Sequence, residues 1–180
     1  MEGLIFNMAE LMIRKLGDPV LRKVCKPITS ITDREQKLLQ NLIDTLYADP
    51  GRAGLAAPQV GYLKRIAVLD CGDGLVELIN PEMISQSGET FDYEACLSLP
   101  GMYGAVKRAE SIVVKTLNRQ GEEQIIEASG HKARCIQHEM DHLDAILYID
   151  HVKNGHLFQE KTKKPVDVYQ MIQLSKQNAL

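Results

Sequence analysis

An α+β fold, with mostly antiparallel sheets packed around a central helix, is what this chain of 180 residues predicts. Three observations point to it. Strand-like runs cluster between helical stretches. Short connections of turn composition join those runs into hairpins. One helical stretch carries Ile136, Met140 and Leu143 on a core face beside two His, so that a sheet can pack on it. The length fits a single domain of ~100–200 residues, and 44% hydrophobic residues suffice for a sizeable core.

The elements follow in order. Met1 to Ala9 holds an acid, no Lys or Arg and too short an apolar stretch for a signal peptide. Residues 1–7 read as an N-terminal extension, with Met8 an equally good start. Thr32-Asp33-Arg34-Glu35 is a capping-box pattern, and Leu38, Leu39, Leu42, Ile43, Leu46 and Tyr47 then recur at helical spacing. That predicts a helix over 33–48, stopped by Asp49-Pro50-Gly51. The stretch from Gly54 to Gly61 is rich in small residues around one long amide, Gln59. It reads equally as a tight turn into a strand or as backbone that comes close to a ligand.

Strands over 66–70 and 75–80 flank Cys71-Gly72-Asp73-Gly74, and strands over 112–117 and 124–128 flank Asn118-Arg119-Gln120-Gly121. Each set predicts a hairpin. Between them, Cys96 is expected after a strand and before a Pro100-Gly101 turn. A second helix is expected over 129–144, with Ile136, Met140 and Leu143 on its core face. Pro165 is expected to open a C-terminal helix over 165–180.

The formal charge of -3 leaves no basic footprint for nucleic acid, and the lysines between Lys161 and Lys164 read as solvated surface. No segment approaches the ~20 apolar residues of a membrane span. Cys25, Cys71, Cys96 and Cys135 are widely spaced with no C-x-x-C pair, which argues for reduced thiols and a cytoplasmic setting.

The chemistry begins at His138-Glu139-Met140-Asp141-His142. On a helix, positions i and i+4 share a face, so both imidazoles can meet one metal ion. Glu139 lies about 100° further round and can reach a water on that ion. A short pattern of this kind also occurs on solvated helix faces, so the remaining ligands decide the reading. A hydrolytic site needs a third protein ligand and an open position. The metzincin extension fails, because Ala145 and Tyr148 stand where Gly and a third His belong. Glu160 is the thermolysin-like alternative, but Lys and Pro surround it. Cys96 is the better candidate, since a thiolate binds Zn or Fe(II) strongly. A lone Cys is more often a small buried hydrophobe, the fate expected of Cys25, Cys71 and Cys135. Cys135, three residues before His138, is also a candidate pocket wall.

Taken together, GLAAPQVG at 54–61, EACLS at 94–98 and QHEMDH at 137–142 resemble the three motifs of peptide deformylases in order and spacing. The likeness extends to LGDPVLR at 16–22 and INPE at 79–82. The resemblance implies hydrolytic removal of the N-formyl group from the N-terminal formylmethionine of new polypeptides, with release of formate. It implies metal ligands at Cys96, His138 and His142, a general base at Glu139, and oxyanion donors in the Leu97 N–H and the Gln59 amide. It places the Gly54 backbone along the substrate cleft, with Leu55, Cys135 and Tyr103 near the substrate. The implied cofactor is one divalent ion, Fe(II) first, with Zn, Ni or Co able to substitute. Formylmethionyl nascent peptides are the implied partners, and a ribosome contact by the segment from Pro165 stays open.

The sequence departs from the family pattern at Arg52 and Ala53, where Gly and a hydrophobic residue are usual, and at Ala95, usually Gly. None is a ligand, the base or an oxyanion donor. Glu94 and Arg108 are expected to pair and brace the Cys96 loop, Asp141 and Asp144 to lie at the surface or orient the ligand imidazoles, and His131, His151 and His156 to lie at the surface. Two other classes remain in view. A structural metal site in a binding module would leave Glu139 and Gln59 unexplained, and an inactive relative would not keep all six chemical positions.

Overall fold

The computed structural model describes residues 10–177. The extension read at 1–7 lies outside the described residues. Helix α1 (Asp33–Tyr47) starts where the capping box predicts: the Arg34 N–H donates to the Thr32 hydroxyl at 3.3 Å, and the Thr32 N–H donates to Glu35 at 3.2 Å. Its leucine stripe is buried, and it ends one residue before the expected limit.

Strands β1 (Gly54–Ala56), β2 (Ile66–Asp70), β3 (Leu75–Ser87), β6 (Ser111–Leu117) and β7 (Glu123–Ser129) form an antiparallel sheet in the order β1-β2-β3-β6-β7. Side chains alternate across a strand, and β2 uses both faces. Ile66 and Val68 join the α1 core, whereas Ala67 and Leu69 join a second core with Ile136, Met140 and Leu143 of α2 (Gly130–Leu143). The sheet is thus covered by α1 on one face and α2 on the other. Strands β4 (Thr90–Cys96), β5 (Leu99–Arg108) and β8 (Leu157–Gln159) make a second antiparallel sheet, order β4-β5-β8. Its core holds Cys96, Leu99, Val106, Tyr148 and Leu157. Among the described residues, no helix is long and apolar enough to cross a membrane.

Three differences from expectation exceed one residue. Strand β3 runs on through Pro81, because the register shifts between Ile79 and Glu82 and a bulge tolerates the missing N–H. Asn80 makes that bend at φ 50° and clamps Ile28 with 2.8 and 2.7 Å hydrogen bonds. Pro100-Gly101 is not the turn: Cys96 pairs with Leu99, so Leu97-Ser98 connects the strands and Pro100 lies inside β5. At the C-terminus, Pro165 bridges Phe158, and helix α3 (Val168–Lys176) begins only after Asp167, whose carboxylate caps it.

Candidate active site

Two elements bring three candidate ligand atoms together. Cys96 ends β4, His138 and His142 stand one turn apart on α2, and their donor atoms all lie within 4.8 Å of one another. The Cys96 sulfur is 3.3 Å from His142 Nε2. His138 Nδ1 lies 2.9 Å from the Glu94 carboxylate, an acceptor. That bond places the proton on Nδ1 and turns Nε2 toward the cluster.

Glu94 is the hub of a buried network. It accepts from Arg108 Nε and Nη2 at 2.9 Å each and from Arg134 Nη1 at 2.8 Å. The Glu94–Arg108 pair is as expected; the contacts of Glu94 with His138 and Arg134 were not. Both have a sequence signal. Glu94 and Cys96 are two apart on a strand, hence on one face, and Arg134 and His138 are four apart on a helix. Asp144 is exposed, as expected, whereas Asp141 is half-buried and orients neither His138 nor His142. Asp141 binds Arg108 at 2.5 Å and His151 at 2.8 Å, and Asp144 pairs with Arg65.

The electrostatics favour the thiolate at Cys96 and the carboxylate at Glu94, and disfavour the charged form of Glu139. Burial raises the Cys96 thiol, but the His142 and His138 rings outweigh it and hold Cys96 well below the usual thiol range. The thiolate is the metal-binding form. For Glu94, burial raises the carboxyl, yet Arg108 and His138 pull it far below the ordinary value. Glu139 is the opposite case. Its burial dominates, pushing it up to about 7 against the two imidazoles, close to where a proton shuttle is most effective.

Gln59 sits in a 3₁₀ turn directly after β1. Its carbonyl accepts from the Ala56 N–H at 2.8 Å, which aims the amide nitrogen at Ser98 Oγ (3.2 Å) and Cys96 Sγ (3.5 Å). Gly54, on β1, faces Glu139: a Cβ there would lie 2.8 Å from the Glu139 Cδ. Only glycine lets that backbone and that carboxylate share the space.

Cys96, His138, Glu139, Gln59 and Gly54 open on a cleft of about 720 Å³, whereas His142 is buried and does not line it. Gly54, Cys135, Tyr103 and Leu97 line it, as do Arg52, Ala53, Ala95 and Glu160. Leu55 does not. It is fully buried in the α1 core, because its neighbour Gly54 takes the cleft-facing side of the strand. Tyr103 stacks on Phe158 (5.6 Å between centroids) and meets Tyr93 edge-on, giving the cleft an aromatic rim. The Arg52 guanidinium is tied to the Thr45 carbonyl and to Glu10 at 2.8 Å. Tyr148 packs against the His138 ring at 6.1 Å. Cys25 is buried as expected, but Cys71 and Cys135 are only half-buried and meet exposed His131.

The site suits a metal ion. One sulfur and two nitrogens converge on a common point, and Glu139 Oε2 beside them is buried with no hydrogen-bond partner among the described residues. A buried acceptor of this kind marks a place where a ligand belongs.

A family model described as polypeptide deformylase matches residues 10–157. The chain is 52% identical over 147 residues to a peptide deformylase of Carboxydothermus hydrogenoformans, covering 82% of this chain and 96% of that one. It is 51% identical over 146 residues to one of Desulfitobacterium hafniense, covering 81% and 97%. Among solved structures, a peptide deformylase from Thermotoga maritima superposes with a TM-score of 0.78 at 40% identity, covering 81% of this chain and 99% of that one.

Proposed function

The chain belongs to the peptide deformylase family and is thus a metal-dependent hydrolase that removes the formyl group from N-terminal formylmethionine, and from that premise we propose how its own residues divide the work. Cys96, His138 and His142 hold the ion, Glu139 carries the proton, and Gln59 and the Leu97 N–H receive the formyl oxygen. The observation that supports this most is the clustering of the three donors beside a cleft that Cys96, His138, Glu139 and Gln59 line together. Fe(II) is the proposed ion, with Zn, Ni or Co as substitutes, since a thiolate with two imidazoles suits borderline to soft cations. When bound, the ion supplies Lewis acidity to the attacking water and the formyl oxygen.

Glu139 accepts a proton from the water as it adds to the formyl carbon. Negative charge then grows on the formyl oxygen, toward which Gln59 Nε2 and the Leu97 N–H donate. Glu139 passes its proton to the amine nitrogen as the C–N bond breaks, giving formate and a free N-terminus. Burial tunes Glu139 for both transfers, since a group near pH 7 gives and takes protons readily. Cys135, Tyr103 and the Gly54 backbone form the proposed substrate walls, and the peptide's first side chain lies along them.

The test is anaerobic reconstitution with Fe(II) or Ni(II), followed by formate release from formyl-Met-Ala-Ser. Glu139→Ala should retain its metal and lose ~10²–10⁴-fold in kcat. Bound metal without formate in the wild type would sink the enzymatic assignment. Full activity in Glu139→Ala would overturn the proton path alone.

A further inference from the structure

We propose that Cys71, His131 and Cys135 form a second cation site, for soft and borderline ions such as Cd(II), Zn(II) or Cu(I), on the wall of the substrate cleft. Their donor atoms all lie within 4.8 Å of one another, and none of them belongs to the Cys96 cluster. Cys135 Sγ is 3.6 Å from His131 Nε2. In a tetrahedral site with Zn–S of ~2.3 Å and Zn–N of ~2.05 Å, the S···N edge is about 3.6 Å. The pair therefore already has the spacing that a bound ion requires.

The placement is built from two elements. His131 and Cys135 are four apart on α2 and share a face. Cys71 comes from the turn between β2 and β3. That turn is held in place from both sides: the Asp70 carboxylate accepts from the Gly72 N–H at 2.8 Å, and Asp73 pairs with Lys132 of α2 at 2.7 Å. Lys132 is the neighbour of His131, so the hairpin is anchored at the helix turn that supplies the other donors. Both thiols are half-buried and His131 is exposed, which leaves one coordination position open to solvent or cleft.

His131 and Cys135 line the substrate cleft, whereas Cys71 does not. A cation there would sit one helical turn before the catalytic donors and convert part of the substrate wall from thiol to charged metal. Loading this site would therefore weaken substrate binding without touching Glu139. Cation binding stands on these residues alone, and only its effect on substrate binding rests on the deformylase assignment.

The experiment uses full-length enzyme preloaded anaerobically with one equivalent of Ni(II) and kept under a phosphine reductant. Cd(II) is titrated in, thiolate-to-cadmium charge-transfer absorbance is followed, and Ni and Cd content are measured after gel filtration. The expected result is one further equivalent of Cd(II) with a charge-transfer band and unchanged Ni content. Cys71→Ser and His131→Asn should each lose the band. KM for formyl-Met-Ala-Ser should rise several-fold with Cd(II) in the wild type and not in Cys71→Ser, whose activity without Cd(II) should match the wild type. No second equivalent in the wild type overturns the proposal. So does Cd(II) uptake that both variants retain, or a thiol count showing a Cys71–Cys135 disulfide in place of bound metal.

Discussion

Glu94→Gln tests whether one buried carboxylate both braces the fold and aims a metal ligand. Glu94 serves three side chains at once: Arg108 through two 2.9 Å bonds, Arg134 at 2.8 Å and His138 at 2.9 Å. Its side chain and those of both arginines are only 5% exposed, so solvent cannot replace it. Gln keeps the shape but removes the charge, and its NH₂ would point at groups that are themselves donors. Arg108 would retain Asp141 at 2.5 Å, and Arg134 would retain the Val106 and Thr90 carbonyls. Removing one partner of a buried ion pair costs ~3–5 kcal/mol. For a chain of this size each kcal/mol lowers Tm by ~2–4 °C, so the expected fall is roughly 10 °C. His138 would also lose the bond that orients its ring, and such losses weaken metal binding ~10–100-fold. Calorimetry of the metal-free protein reads the first effect. Chelator competition for Ni(II), well below the melting range, reads the second. A variant with unchanged Tm would refute the energetic argument. One that melts early but binds Ni(II) as tightly as the wild type would refute the role assigned to Glu94 at His138.

Three further outcomes follow from single contacts. Gly54→Ala would force its methyl into Glu139, 2.8 Å from Cδ and 3.0 Å from Cγ; kcat should fall ~10-fold or more while metal content holds, and wild-type kcat would remove the close-approach explanation. Gln59→Glu keeps an acceptor for the Ala56 N–H but lacks the amide donor facing Cys96 and Ser98; kcat should drop ~10²–10³-fold, and an unaltered value in formate-release assays would exclude Gln59 as an oxyanion donor. The Thr32 hydrogen bond is the main reason the Glu35 carboxyl is lowered from 4.5 to about 2. A carboxyl lowered by folding stabilises the protein above its unfolded value, and that contribution fades as pH falls from about 4.5 toward about 2. Thr32→Ala should therefore cost ~1 kcal/mol at neutral pH, with the gap to wild type closing across that acidic window in urea melts; a constant gap would contradict the linkage.

Much of the fold is legible because its signals are local. The Thr32–Glu35 box and the leucine stripe define α1 within one residue, and both predicted hairpins pair as expected. The misses come where tertiary contacts override a local signal. The strand expected over 75–80 stops short of Pro81, but a bulge at which Asn80 holds Ile28 carries β3 past it. Pro100-Gly101 reads as a turn, but both residues lie inside β5, in the register shift between the Cys96–Leu99 and Ala95–Tyr103 pairs. Leu55 sits in a motif that faces the cleft, yet strand alternation sends it into the core.

By itself the sequence determines the fold class, the helix that presents His138, Glu139 and His142, and through motif resemblance the family. These follow from short-range periodicity and from residue types that few other chemistries require. Only the tertiary structure decides which groups meet. Glu94 reaches His138 because packing brings the end of β4 beside α2, and the Glu139 carboxyl rises to about 7 because burial disfavours its charge. Cys71, some sixty residues before His131 and Cys135 in sequence, joins them because the β2–β3 turn is anchored on α2. Distance along the chain carries no record of such encounters; packing alone creates them.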